Sequence, residues 1–272
     1  MDIGGKVAVV TGAGAGIGAA IARSLARGGA RVAVADLNGD AANGVAAEIS
    51  AEIPGSAFAF AGDVSDERVI TELVNRAEAE FGPVDLYFAN AGVTGGPGLD
   101  STEEQWAAAL GVNVMAHVRA ARVVVPRWLE RDGGYFVSTA SAAGLLTQLG
   151  SAPYAVSKHA AVGFAEWLSV TYGDRGIAVS CLCPMGVETA LLRSGFGSGV
   201  EEAELASRSV TSSGAVLTPD DVAADVLAAI ADERFLILPH PEVGDFFKHK
   251  ATDYERWLRG MRGYQAALRS TE

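Results

Sequence analysis

The sequence predicts an α/β protein with a doubly wound parallel sheet of about seven strands and helices on both faces. Short apolar runs alternate with longer alanine-rich stretches of helical spacing, which is typical of parallel sheets. The runs are almost continuously apolar, which indicates strands buried on both faces. The predicted strands are KVAVVT (6–11), RVAVAD (31–36), AFAFAG (57–62), VDLYFA (84–89), GYFVST (134–139), IAVSCL (177–182) and FLIL (235–238).

Helix-start patterns and composition indicate how the rest of the chain is organised. STEE at 101–104 is typical of a capping box, and TPDD at 218–221 places a proline in a first helical turn. A chain of 272 residues, 49% of them hydrophobic, can bury a sizeable core, and we predict a single domain over residues 1–240. The Gly- and Ser-rich segment 187–217 is interpreted as a flexible substrate loop, with a plain surface loop as the alternative.

Residues 241–272 are predicted to form a helical extension with one apolar stripe. Its large side chains recur at intervals of 7, 3, 4, 3 and 4 residues, as on one face of a helix. Such a stripe must be buried on its own domain or on a neighbouring subunit, and both alternatives stay open, as does a position above the active site. The stripe consists of Phe247, Tyr254, Trp257, Met261, Tyr264 and Leu268.

The charge balance argues against nucleic acid and anionic membranes as partners. Lys and Arg number 21 against 33 Asp and Glu, which gives a net charge of -12. Such a chain repels polyanions. The N-terminus lacks the basic and long apolar regions of a signal peptide, and no run of 18 uncharged apolar residues occurs, so we expect a cytoplasmic protein.

Of the two cysteines, Cys181 lies in the sixth predicted strand and Cys183 directly follows it. We interpret their side chains as pointing to opposite faces, so that they do not bridge. They are then small buried hydrophobes in a reducing compartment. The chain contains no His, Cys and Asp cluster with metal-ligand spacing, and we expect no catalytic metal.

The first strand ends in a glycine-rich turn, TGAGAGIG (11–18). Gly12, Gly16 and Gly18 lie where the chain passes from strand to helix. Without Cβ atoms, the backbone can approach a pyrophosphate at the helix N-terminus. Because an acidic residue ends the next strand, this context predicts a Rossmann-like dinucleotide site.

That acidic residue, Asp36, lies 18 residues after Gly18. Its carboxylate can accept hydrogen bonds from the adenosine ribose hydroxyls and repel a 2′-phosphate. Leu37 and Asn38 provide no cation for that phosphate, so we predict NAD rather than NADP. The alternative for Asp36 is a turn residue at a strand end. Asp63, which ends the third strand, is expected to hold the adenine amino group or to cap the helix that begins near Asp66.

Several motifs taken together resemble the short-chain dehydrogenase/reductase family in its one-domain, NAD-preferring form. TGAGAGIG is followed in order by NAG (90–92), Asn113, Ser141 and YAVSK (154–158), and the resemblance covers about residues 5–240. It implies a dinucleotide site of Gly12, Gly16, Ile17, Gly18, Asp36, Leu37, Asp63, Val64, Asn90, Gly92, Tyr154, Lys158, Val187 and Thr189.

The resemblance also implies catalytic roles. Tyr154 would be the general acid/base, and Lys158, one helical turn later, would lower its pKa from the ordinary value of about 10. Ser141 would orient the substrate oxygen, with Ser138 as the less favoured candidate. Asn113 would bend its helix and hold a water between Lys158 and solvent. Asn90 and Gly92 would support the sheet beneath the cofactor.

One departure from the family pattern bears on the substrate. In CPMGVET (183–189), Pro184, Val187 and Thr189 match the pattern, but Met185 replaces the usual glycine. Its flexible side chain should alter the substrate site. The predicted pocket is mostly apolar, which favours a hydrophobic or alicyclic alcohol, and consists of Val93, Ala143, Leu146, Gln148, Met185, Leu191 and Leu192.

The function that follows is an NAD(H)-dependent oxidoreductase that interconverts a secondary alcohol and a ketone. An epimerase or dehydratase that retains NAD is an alternative, although such relatives carry a larger substrate domain. A non-catalytic dinucleotide sensor is another, although the Tyr and Lys are both present. The resemblance further implies a homo-oligomer, a tetramer or dimer, that packs through helices near 102–130 and 152–173.

Overall fold

Seven parallel strands form one sheet, as the sequence predicts. The structure, a computed structural model, describes residues 1–131, 133–194 and 199–270. All pairings are parallel, in the order β3-β2-β1-β4-β5-β6-β7. The strands are β1 (Val7–Thr11), β2 (Arg31–Asp36), β3 (Ala57–Ala61), β4 (Leu86–Ala89), β5 (Gly134–Thr139), β6 (Ile177–Leu182) and β7 (Leu236–Ile237).

The strand order reverses between β1 and β4, which are neighbours in the sheet. The chain runs outward from β1 to β3, returns to β4, and then continues to β7. The loops that follow β1 and β4 therefore diverge and leave a crevice at the carboxyl edge of the sheet. In doubly wound sheets this crevice is where ligands bind.

Helices cover both faces of the sheet and bury two apolar cores. One core contains side chains of α1, α2 and α10, and the other contains side chains of α3, α5 and α7. The helices are α1 (Gly16–Arg27), α2 (Gly39–Glu52), α3 (Glu67–Phe81), α4 (Glu103–Leu110), α5 (Ala116–Leu129), α6 (Ala142–Leu145), α7 (Ala152–Tyr172), α8 (Ala190–Ser194), α9 (Glu201–Thr211), α10 (Pro219–Ala231), α11 (Glu242–Thr252) and α12 (Tyr254–Arg269).

One of the two predicted helix starts is confirmed and the other is shifted by a residue. Thr218 and Asp221 form a capping box at α10, with a proline at its first turn. At α4 the box pairs Thr102 with Gln105, not Ser101 with Glu104. The Ser101 hydroxyl instead donates to the carbonyl of Pro97.

The stretch Glu103–Leu129 is continuously helical because a π-helical turn, Gly111–Met115, joins α4 to α5. By length and composition alone this stretch is apolar enough to cross a membrane. Its apolar side chains, Ala120, Val124 and Trp128 among them, instead pack in the core against the sheet. A core helix explains the composition.

The interpretation of the cysteines was wrong about their direction. Positions i and i+2 of a strand share a face, since side chains alternate with a period of two. Cys181 and Cys183 accordingly lie in the same core, with their Sγ atoms 3.8 Å apart. Both are buried free thiols.

Two helices lie within the predicted substrate loop 187–217, namely α8 and α9, so the alternative of a plain loop is wrong. Residues 195–198 of this segment lie outside the described residues. Its flexibility stays a prediction.

The predicted extension 241–272 is also two helices rather than one. The first helix ends before Asp253, and the Asp253 carboxylate accepts from the Arg256 amide and so caps α12. Residues 271–272 lie outside the described residues. The division of the chain at residue 240 stays a prediction.

Candidate active site

The glycine turn after β1 is held against the start of the loop that follows β4. The Asn90 side-chain amide donates to the carbonyls of Thr11 (2.9 Å) and Gly12 (3.3 Å), and the Asn90 backbone amide donates to the Thr11 hydroxyl (3.0 Å). The Thr11 hydroxyl in turn donates to the Phe88 carbonyl. These bonds fix the two loops on either side of the crevice.

Three glycines let this turn pack more closely than any residue with a side chain would allow. A Cβ on Gly12, which has a φ of 62°, would come within 2.8 Å of Ala91 Cα. A Cβ on Gly18 would come within 2.3 Å of the Gly12 carbonyl oxygen, and one on Gly16 within 3.0 Å of Thr189. The Ala15 N-cap provides no side-chain acceptor, so the first amides of α1 are available to an anion. This cradle fits a pyrophosphate.

The Asp36 carboxylate lies at the end of β2 and borders the same cavity. One of its oxygens accepts from the Gly14 amide and the other from the Asn38 amide, both at 2.9 Å. These bonds orient the carboxylate beside the glycine turn. Leu37 next to it is 75% exposed and carries no charge.

Asp63 also lines the cavity, and it does not cap a helix. Its carboxylate accepts from the Ser65 amide, whereas the cap of α3 is Asp66, whose carboxylate accepts from the Arg68 amide. The capping alternative for Asp63 is therefore wrong. A role in holding adenine stays a prediction.

Ser141, Tyr154 and Lys158 meet at the other end of the cavity. Ser141 is the N-cap of α6, and its hydroxyl hydrogen-bonds the Tyr154 phenol. Lys158 Nζ lies 5.7 Å from the centroid of the Tyr154 ring and donates to the Thr139 carbonyl at 2.9 Å. Ser138, the other serine candidate, does not line the cavity, and its hydroxyl is hydrogen-bonded to His117 Nδ1.

Burial has the largest effect on the pKa values of Tyr154 and Lys158. For Tyr154 this is contrary to the sequence analysis, which expected a lowered pKa. Desolvation raises the pKa of Tyr154, and the hydrogen bond from Ser141 opposes that rise. Desolvation also lowers the pKa of Lys158 to about 8. The protein without its cofactor therefore does not lower the pKa of Tyr154, as the sequence analysis expected it to.

Asn113 lies behind the site, fully buried within the π-helical turn. Its side chain accepts from the Val93 amide (2.9 Å) and donates to the Val93 carbonyl (2.8 Å) and the Ser157 hydroxyl (2.9 Å). It thus ties the loop after β4 to α7, next to Lys158. π-turns recur at functional sites. The proton relay assigned to Asn113 stays a prediction.

All of the predicted site residues except Asn113 line one cavity of about 990 Å³. The cavity includes every residue of the predicted substrate pocket. Its lining also contains residues that the sequence did not assign to the site, from α9 and the residues just after it and from the C-terminal segment: Ser209, Val210, Ser212, Ser213, Phe246, His249, Asp253, Arg256, Trp257, Met261 and Tyr264. Three members of the apolar stripe, Trp257, Met261 and Tyr264, thus face the cavity of their own chain.

A short-chain dehydrogenase family model matches residues 6–196, about 70% of the chain. The chain belongs to the short-chain dehydrogenase family. It is an oxidoreductase of that family, as the resemblance implied.

Three relatives illustrate the family match. Momilactone A synthase from Oryza sativa subsp. japonica is 37% identical over 238 residues, 84% of each chain. A solved short-chain dehydrogenase/reductase from Burkholderia phymatum, in complex with NAD, has a TM-score of 0.85 and 33% identity and covers 94% of this chain and 96% of its own. A 7α-hydroxysteroid dehydrogenase complexed with NADH and 7-oxo glycochenodeoxycholic acid has a TM-score of 0.78 and 29% identity, with coverage of 87% and 93%.

Met185 of this short-chain dehydrogenase is positioned by a buried histidine that the sequence did not indicate. His240 Nδ1 accepts from the Met185 amide at 3.1 Å, and His240 Nε2 lies 3.1 Å from the Ala215 carbonyl, to which it donates. His240 is 2% exposed. The histidine therefore joins the segment after β6 to the segment before α10 and fixes the backbone where Met185 replaces glycine.

The remaining histidines of the dehydrogenase show no catalytic pairing. His249 lines the cavity at its rim, and His159 is exposed on α7. In the ranges 1–131, 133–194 and 199–270, no three His, Cys, Asp or Glu side chains are gathered as metal ligands.

His117 should make the stability of the dehydrogenase pH-dependent. Burial, with a smaller contribution from the Lys158 charge, lowers the His117 pKa from 6.5 to about 3. Between these values the unfolded chain binds a proton that the folded chain does not, so stability falls as pH falls. The free energy of unfolding should decrease by roughly 1.4 kcal/mol per pH unit across this window because of His117.

Denaturant unfolding of the wild type and of His117→Gln at pH 7, 6 and 5 measures this slope. The variant should lose less stability between pH 7 and pH 5 than the wild type does. The exposed His249→Gln is the control. Parallel pH dependence in His117→Gln and the wild type would contradict the assignment.

Proposed function

We propose that the protein is an NAD(H)-dependent dehydrogenase that interconverts a secondary alcohol and a ketone. The observation that carries the proposal is the meeting of Ser141, Tyr154 and Lys158 in the cavity that also contains the glycine turn and Asp36. A hydride donor or acceptor and a proton donor or acceptor can therefore act on one carbon–oxygen bond.

The cofactor fits the residues present. Gly12, Gly16 and Gly18 would hold the pyrophosphate, and Asp36 the adenosine ribose. Val187 and Thr189 would face the carboxamide of the nicotinamide, and Lys158 its ribose. When bound, NAD supplies or accepts the hydride, and its positive oxidised ring adds a charge that favours ionised Tyr154.

The side chains of this protein handle the proton. In alcohol oxidation the Tyr154 oxygen takes the hydroxyl proton, while the Ser141 hydroxyl donates to the same substrate oxygen and orients it. The Lys158 ammonium stabilises the phenolate through its charge. In ketone reduction the same phenol returns the proton.

An apolar cavity supports a hydrophobic, ring-containing substrate. Leu146, Met185, Leu191, Trp257 and Met261 all line it. The structurally similar hydroxysteroid dehydrogenase was solved with a 7-oxo bile acid derivative, an alicyclic ketone. The proposed substrate class is thus alicyclic secondary alcohols.

The test is NAD⁺ reduction, followed by nicotinamide absorbance, over a panel of cyclic and acyclic secondary alcohols. Turnover of cyclic alcohols supports the proposal. Tight NAD binding without turnover of any member would instead support the sensor alternative, and NAD that co-purifies without net reduction would support the epimerase or dehydratase alternative.

Asp36 should exclude NADP. In Asp36→Ala combined with Leu37→Arg, kcat/KM with NADP should rise by about a hundredfold or more, because repulsion of a phosphate with roughly -1.5 to -2 charges is replaced by attraction. With NAD it should fall by about tenfold, since hydrogen bonds to a charged acceptor are lost. Steady-state kinetics with both cofactors measure the switch.

The matched control is Asp40→Ala, an exposed carboxylate in the first turn of α2 that does not line the cavity. It should leave the ratio of the two efficiencies unchanged. An unchanged ratio in the double variant would show that Asp36 only shapes its turn.

A further inference from the structure

Lys250 is a buried cation in α11 that no catalytic role accounts for. It is 7% exposed, and its ammonium donates to the carbonyls of Leu145 (2.8 Å) and Leu146 (2.7 Å). His159 Nε2 lies 3.4 Å away. Within the part of the chain that the structure describes, no carboxylate pairs with Lys250. Burial of an ammonium is costly, so an apolar residue would serve simple packing better.

The contacts of Lys250 connect three elements around the cavity. Leu145 and Leu146 end the short helix that begins at Ser141, and His159 follows Lys158 on α7. The third element is α12, because Lys250 Nζ lies 4.9 Å from the ring centroid of Trp257 and 5.6 Å from that of Tyr254. The ammonium thus lies between the end of α6 and the aromatic start of α12.

Trp257 is the larger of the two aromatic side chains, with Tyr264, that α12 contributes to the cavity lining. The far end of α12 is held independently, through Arg269 with Glu201 and Glu202 and through Tyr264 with Ser213 at 3.0 Å. At the near end of this helix, the cation–π contacts of Lys250 join it to α6, whose N-cap is Ser141.

We propose that Lys250 is a positioning residue that fixes the Trp257 ring as a wall of the substrate pocket, and that this wall favours cyclic over small acyclic alcohols. The inference rests on the proposed function. A flat ring held at a fixed position gives a broad apolar surface to an alicyclic skeleton, whereas a small acyclic alcohol offers less apolar area for the ring to contact.

The test compares Lys250→Met with the wild type on cyclohexanol and 2-butanol. For cyclohexanol, KM should rise about tenfold with little change in kcat, as expected for lost uniform binding. For 2-butanol, KM should change by less than about threefold, and the Kd for NAD should not change. Lys250→Arg, which keeps a charge and donors, should restore most of the KM for cyclohexanol.

Two controls separate positioning from general destabilisation. Lys248→Met removes an exposed lysine of the same helix, which pairs with Asp245, and should change neither KM. In the double variant Lys250→Met with Trp257→Ala, KM for cyclohexanol should be no higher than in Trp257→Ala alone, because both changes remove the same wall. Additive effects, equal loss with both alcohols, or weaker NAD binding would overturn the proposal.

A readout without turnover keeps the inference distinct from the proposed function. The emission of Trp257, obtained as the difference between each protein and its Trp257→Phe counterpart, should shift in Lys250→Met and recover in Lys250→Arg. If the wild type oxidises no alcohol of the panel, the proposed function fails, and this shift still tests whether Lys250 positions Trp257. If Lys250→Met does not fold, Lys250→Gln, which keeps a donor for the carbonyls but no charge, takes its place. An unshifted emission overturns the positioning role.

Discussion

Tyr154→Phe should lower kcat for alcohol oxidation by about 10²- to 10⁴-fold, the usual contribution of general acid–base catalysis. The substitution removes only the phenolic oxygen. The ring is 8% exposed and belongs to a small apolar cluster with Ala143, Ala203 and Ala206, which phenylalanine can fill equally well. The melting temperature and the Kd for NAD should therefore stay close to those of the wild type.

Tyr172→Phe provides the matched control, because Tyr172 lies on the same helix but outside the cavity. Steady-state kinetics with saturating NAD, together with cofactor titration, distinguish loss of proton transfer from loss of binding. Full turnover in Tyr154→Phe would show that Tyr154 does not transfer the proton in this reaction. Equal losses in both variants would point to disturbance of the helix instead.

The strands and the glycine turn could be predicted from the sequence because the patterns that indicate them are local. Each strand of a sheet covered on both faces is a continuous apolar run, and all seven were found in that way. The glycine turn was recognisable because Gly12 and Gly18 occupy positions where a Cβ would collide with backbone. The error over Cys181 and Cys183 came from misapplied strand periodicity rather than from missing information.

Contacts between distant parts of the chain could not be predicted from the sequence. The helical spacing of Trp257, Met261 and Tyr264 revealed a face that must be covered, but not that it faces the active-site cavity. Lys250 contacts a carbonyl 105 residues earlier, and His240 an amide 55 residues earlier, and neither has a local signature. The raised pKa of Tyr154 was missed for the same reason, since the extent of burial follows from tertiary packing.

Lys158→Met should shift the pH dependence of alcohol oxidation as well as its rate. Lys158 Nζ lies 5.7 Å from the centroid of the Tyr154 ring. Two opposite charges about this far apart, at an effective dielectric of 20, attract by roughly 3 kcal/mol, which would stabilise a phenolate by about two pKa units. Oxidation requires the ionised phenol, so activity rises with pH through the pKa of this base. Loss of the cation leaves burial opposed by the Ser141 hydrogen bond alone and should move the rising limb about two units to higher pH.

At neutral pH this shift should appear as a fall in kcat of about a hundredfold, and part of it should be recovered in alkaline buffer. Methionine suits the buried site, where Lys158 is 3% exposed, so folding should persist. Because burial lowers the pKa of Lys158 itself to about 8, the wild-type profile should also contain the ionisation of Lys158. Loss of the cation should therefore simplify the profile to one ionisation. A Lys158→Met profile with an unmoved rising limb would show that Lys158 acts through the cofactor ribose alone.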